Sequence, residues 1–130
     1  MMASIKSKNT KPEMLVRKFL HGHGFRYRLH DKSLPGKPDI VLPKYKTIIL
    51  IHGCFWHRHS GCVLAYTPKS NVEVWQKKFA DNVKRDIEVL NELTNAGWKV
   101  LIVWECRLRK DSSNYLEEIS YAIENGLPRF

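Results

Sequence analysis

Two nearly continuous apolar runs constrain this chain more than any other feature. The first is Thr47, Ile48, Ile49, Leu50 and Ile51; the second spans residues 98–104 and holds Trp98, Val100, Leu101, Ile102, Val103 and Trp104. Runs this short and this apolar mark strands covered on both faces. Between them, residues 71–95 carry Trp75, Phe79, Val83, Ile87, Leu90 and Leu93 as a helical stripe, with room for a break inside the segment. A strand that returns to its sheet through a helix runs parallel to the one it left.

The rest of the chain extends this α/β pattern. Thr10 is placed to cap a first helix, with Glu13 at the reciprocal capping-box position. Leu15, Val16, Phe19 and Leu20 follow at helical spacing, and Gly24 ends the run. Phe25, Tyr27 and Leu29 alternate with Arg26, Arg28 and His30, which predicts a half-buried strand over 25–29. A turn at 34–38 leads into a short strand at 39–42, and 43–46 turn again. Tyr115, Leu116, Ile119, Ala122 and Ile123 outline a last helix ending at Gly126. The predicted fold is a mixed four-stranded sheet flanked by helices. At 130 residues it forms one domain, over 10–130, behind a flexible basic arm at 1–9.

Charge narrows the class of partner. Lys and Arg number 22 against 13 Asp and Glu, a formal net charge of +9. That excess points to a polyanion, nucleic acid before an anionic membrane surface. No segment has the ~20 apolar residues of a membrane span, and the first residues lack the apolar core of a signal peptide. A cytoplasmic location is expected, where thiols stay reduced.

The cysteines fit that compartment. Cys54, Cys62 and Cys106 are the three in the chain, so one disulfide strands a thiol. Three thiolates and one imidazole instead complete the four-coordinate shell of structural zinc. His57 and His59 both lie between Cys54 and Cys62, and spacing does not choose between them. A second metal is suggested by Asp39, which opens an apolar strand after Pro38. A carboxylate at a sheet edge suits a hard cation such as magnesium. His52 ends the neighbouring apolar run, and His57 follows a few residues on. A carboxylate for metal and an imidazole near neutrality are the parts that phosphodiester hydrolysis needs.

The run from Pro35 through Gly36, Lys37 and Pro38 to Asp39, the run from Ile51 through His52, Gly53, Cys54, Phe55, Trp56, His57 and Arg58 to His59, and Val103, Trp104, Glu105 and Cys106 occur in that order. Together they closely resemble the very-short-patch repair (Vsr) DNA mismatch endonucleases, over about residues 2–107. The resemblance implies a restriction-endonuclease-like core with a zinc-bound loop, and a Mg-dependent endonuclease that nicks double-stranded DNA at a T·G mismatch, as a monomer. It implies that Asp39 binds Mg, with the main chain of Ile51 where a threonine is common. His57 is implied as general base, with His52 assisting at the phosphate and Glu13 supporting the site. Asp86 matches a further acidic residue nearby. Cys54, His59, Cys62 and Cys106 are implied as the zinc ligands. Phe55, Trp56 and Trp75 match aromatics that wedge into the duplex, and Met2 a minor-groove wedge. Two other readings remain: a related DNA nuclease without mismatch specificity, and a zinc-stabilised DNA-binding module without catalysis.

Overall fold

The computed structural model describes residues 10–126, so the basic arm at 1–9, Met2 within it, and residues 127–130 lie outside the described residues. The elements are α1 (Lys11–Gly22), β1 (Arg28–Leu29), β2 (Ile40–Leu42), β3 (Thr47–His52), α2 (Cys54–His57), α3 (Val72–Asn95), β4 (Lys99–Trp104) and α4 (Glu105–Asn125). The four strands form one mixed sheet in the order β1-β2-β3-β4. The first two pairings are antiparallel. The two long apolar runs pair in parallel, from Thr47 opposite Lys99 to His52 opposite Trp104.

The side-chain period of two sorts the strand residues between two cores. Ile40, Leu42, Ile49, Leu101 and Val103 pack on one face with Val16 and Leu20 of α1 and with Leu116, Ile119 and Ile123 of α4. Val41, Ile48, Leu50 and Val100 point to the other face, where Leu93 of α3 closes a second core. Burying each of these large side chains contributes about 1.5–3 kcal/mol. Both faces of β3 and β4 are thus covered, as their composition predicts. β4 is a sheet edge, and Tyr115 of α4 accepts a hydrogen bond from the Trp104 main-chain N–H at 3.0 Å.

Several boundaries differ from the sequence expectation. The alternating run at 25–29 keeps its in-out pattern, with Phe25 buried and Arg26 exposed, but only Arg28 and Leu29 pair with β2. Thr10 does cap α1, accepting from the Glu13 N–H at 3.4 Å, while the Glu13 carboxylate meets His30 and Arg17. α3 is continuous through 24 residues. Ile87, expected in its buried stripe, is 55% exposed. The inward stripe runs through Trp75, Phe79, Asn82, Asp86, Val89, Leu90 and Leu93, so an acidic residue takes the inward position. The irregular segment after Gly53 holds one turn of helix, α2. The last helix begins directly after β4 and bends at Asp111, whose backbone (φ −152°, ψ 65°) is not helical.

Candidate active site

Register brings the site together. His52 and Trp104 are the last paired residues of β3 and β4, and each chain enters a helix immediately afterwards. Cys54 and Cys106 each lie two residues past that pair, so they stand side by side in the first turns of α2 and α4. His59 reaches both, with Nδ1 3.6 Å from Cys54 Sγ and 3.3 Å from Cys106 Sγ. Cys62 joins them; one donor atom from each of the four residues lies within 4.8 Å of the others. Burial pushes the Cys54 thiol up to about 12, as expected of a sulfur crowded by other sulfurs and removed from water. Three sulfurs and one nitrogen in a closed group fit a structural zinc ion, which would hold the loop by its ligand bonds.

The other histidine of the pair turns away. His57 ends α2, and its Nδ1 lies 2.6 Å from the Asp86 carboxylate on α3. Its ring stacks on His52 at 3.8 Å with only 6° between planes. His52 is buried, and burial, followed by the nearby His57, lowers its pKa to about 3, so it is neutral near pH 7. Its Nδ1 is buried without a hydrogen-bond partner among the described residues. Trp104 separates this pair from the cysteine cluster, meeting His52 edge-on at 5.1 Å and stacking on His59 at 4.0 Å.

Asp39 sits at the entry to β2. One carboxylate oxygen accepts the Ile51 N–H at 2.8 Å, beyond the point where β2 and β3 stop pairing. Its donor oxygen groups with Glu13 of α1 and His30. Burial raises the Asp39 pKa to about 6, opposed by the Ile51 hydrogen bond and reinforced by the Glu13 charge. Two carboxylates held close and partly dry repel each other, and a divalent cation relieves that repulsion. The oxygen donors therefore fit a hard cation such as magnesium.

The two groups, Glu13–His30–Asp39 and His52–His57–Asp86, line one groove of ≈1430 Å³. Ile51, Phe55, Trp56 and Trp75 line it too. The three rings are half-buried and pack mainly on one another and on Phe79, with Phe55 5.2 Å from Trp56 and 5.5 Å from Trp75. Sequence reasoning passed over His30, which looked like one polar position in an alternating strand. It also gave Trp104 no place between the two imidazole groups. Asp86, matched only through the resemblance, lies in the structure on the inward series 75, 79, 82, 86, 89, 93 of α3.

A mixed α/β sheet with imidazoles and carboxylates along one open groove, on a strongly basic chain, suits work on a polyanion. Comparison with known proteins makes that specific. Residues 1–63 match the family described as DNA mismatch endonuclease Vsr. The type II nicking enzyme V.NmeAIP of Neisseria meningitidis is 56% identical over 83% of this chain and 76% of its own length. The type II nicking enzyme V.XorIIP of Xanthomonas oryzae is 46% identical over 83% and 79%. The DNA mismatch endonuclease Vsr of Escherichia coli is 44% identical over 83% and 69%. The class is thus that of the DNA endonucleases. Within it, the chain belongs to the Vsr family. Among the described residues no helix is long and apolar enough to cross a membrane.

Proposed function

We propose that the protein nicks one strand of double-stranded DNA at a T·G mismatch, in very-short-patch-type repair, with magnesium at Asp39 and zinc at the cysteine cluster. The observation that carries this reading is the 2.6 Å contact between His57 Nδ1 and Asp86, in the same groove as Asp39. The carboxylate fixes the imidazole so that Nε2 faces the groove as proton acceptor, the role of general base toward water. His52 is the second imidazole at the phosphate, and its low pKa keeps it a neutral hydrogen-bonding group.

Asp39 and the main-chain carbonyl of Ile51 are the proposed magnesium ligands, supported by Glu13. A magnesium ion held by these residues would supply polarisation of the scissile phosphate and stabilisation of the leaving oxygen. Cys54, His59, Cys62 and Cys106 are the proposed zinc ligands; four protein ligands would make such an ion structural and not catalytic. Phe55, Trp56 and Trp75 are the proposed DNA wedge. Unstacking a base step costs a few kcal/mol, less at a mismatch, and stacking on an aromatic ring returns ~1–3 kcal/mol per base. A T·G step is therefore opened ahead of a matched one.

A nicking assay tests this on T·G and fully matched duplexes with Mg, beside Asp39→Ala. The expected result is a single-strand nick confined to the T·G duplex and lost in Asp39→Ala. Equal cutting of every duplex would favour a related nuclease without mismatch preference. No cutting by the wild-type protein with Mg or Mn would leave a zinc-stabilised DNA-binding module.

A further inference from the structure

His30 follows β1 in a backbone conformation that side chains rarely adopt, with φ at +48°. Such left-handed residues persist where the surroundings hold them, and they cluster at functional sites. Here the turn places two groups at once. The His30 main-chain N–H donates to the Asp39 carbonyl at 3.1 Å. The His30 Nε2 lies 3.0 Å from one oxygen of Glu13 and 3.2 Å from the other. Glu13 comes from α1 and is 1% exposed; Asp39 immediately precedes β2. His30 touches both, and its donor atom lies within 4.8 Å of each carboxylate.

Two carboxylates from different elements have no intrinsic reason to hold one separation. Their mutual repulsion drives them apart, and each has side-chain torsions with which to comply. A ring nitrogen spanning both oxygens of Glu13, on a residue whose own backbone is tied to Asp39, fixes the Glu13 carboxylate relative to Asp39. Groups that orient metal-binding carboxylates in this way typically change metal affinity or activity by 10–100-fold when removed.

We infer that His30 is a positioning residue of the cation site: it sets the Glu13 and Asp39 carboxylates against each other and thereby the affinity for a divalent ion. This rests on the reading of Asp39 as a cation ligand. The test is Mn²⁺ binding to the full chain by isothermal titration calorimetry, with nicking across a Mg²⁺ series as a second measure. His30→Ala is expected to weaken Mn²⁺ binding about 10–100-fold and to raise the Mg²⁺ needed for half-maximal nicking by a similar factor. The KM for DNA and the melting temperature stay near wild type. His30→Gln, which keeps an N–H donor, recovers most of the affinity.

Asp39→Ala separates this inference from the reading beneath it. If Asp39→Ala binds Mn²⁺ and nicks as wild type does, the cation reading itself fails. If Asp39→Ala loses both while His30→Ala binds Mn²⁺ like the wild type, the role of His30 is overturned and the cation reading stands. Equal loss of affinity in both His30 variants, matched by an equal fall in melting temperature, also overturns it, since His30 would then serve the fold alone.

Discussion

His57 and Asp86 meet at 2.6 Å across 29 residues of sequence, one from the single turn after β3 and the other from the middle of α3. The contact has a chemical consequence. In the proposed role of His57, the carboxylate holds the proton on Nδ1, restrains the ring's rotation and leaves the Nε2 lone pair as the acceptor. The parallel stack on His52 restrains the ring's tilt as well.

Asp86→Asn tests that consequence. The amide fills the same space but can present an N–H to Nδ1, which moves the imidazole proton to Nε2 and removes the acceptor. General acid–base groups contribute about 10²–10⁴ in rate, so kcat is expected to fall by that order with KM for DNA little changed. Single-turnover nicking against DNA binding by anisotropy measures both. A variant that cuts at the wild-type rate would show that Asp86 does not set the tautomer.

The proposed zinc ion at the cysteine cluster is tested by metal removal. The loop after α2 has few buried side chains, and under this proposal the four converging ligands would supply its order. Zinc released on unfolding should be stoichiometric with the chain. Chelation or Cys106→Ala should lower the melting temperature and change tryptophan fluorescence, because Trp104 stacks on His59 at 4.0 Å. Unaltered melting and fluorescence after exhaustive chelation would exclude a structural ion.

Much of this was legible in the sequence where one physical rule dominated. β3 and β4 are apolar because both faces are covered, and the helix between them forces the parallel pairing. The three cysteines were legible as metal-ligand chemistry, but their spacing did not choose between His57 and His59; the resemblance pointed to His59, and the structure groups His59 with them. What failed depended on longer-range geometry. Ile87 fits a helical stripe as well as Asp86 does, and only the docking of α3 on the sheet decides which faces in. The strand expected at 25–29 shrinks to Arg28 and Leu29, paired with Val41 and Ile40 of a β2 that is itself only three residues long. His30 gains its meaning from α1 and β2, neither of which its neighbours in sequence reveal.

The buried His52 predicts an acid-sensitive fold. Its folded pKa of about 3 lies below the ordinary value of 6.5, so the unfolded chain takes up the proton first on acidification. The stability tied to its neutral state is fully present above about pH 6.5 and is lost as pH falls toward 3. At pH 5 the loss is roughly 2 kcal/mol. Asp39 runs the other way: its pKa is raised to about 6, so its contribution is present at low pH and lost as pH rises through 6. Comparing wild type with His52→Asn cancels the Asp39 effect, which both share. The difference in unfolding free energy between them should therefore shift by roughly 2 kcal/mol between pH 7 and 5, against the wild type, in metal-free urea titrations. A difference that does not vary with pH would mean that His52 is protonated as readily folded as unfolded.

Gly36 links the loop before Asp39 to the face of α3. Its φ is +73°, and a Cβ built there would lie 2.6 Å from Val89 Cγ1 and 2.8 Å from Cγ2. Gly36→Ala thus meets two separate penalties. The left-handed backbone costs about 1 kcal/mol, and the overlap with Val89 adds about 1–3 kcal/mol unless the loop lifts off the helix. Because Asp39 lies three residues on, a lifted loop also moves the carboxylate from the Ile51 N–H that it accepts at 2.8 Å. Gly36→Ala should lower both the urea midpoint and the nicking rate. Pairing it with Val89→Ala removes the two closest contacts, leaving Val89 Cβ at 3.3 Å, but not the backbone cost, so the double variant should be more stable than the sum of the single losses implies. Strict additivity of the two losses would show that the loop does not rest on Val89.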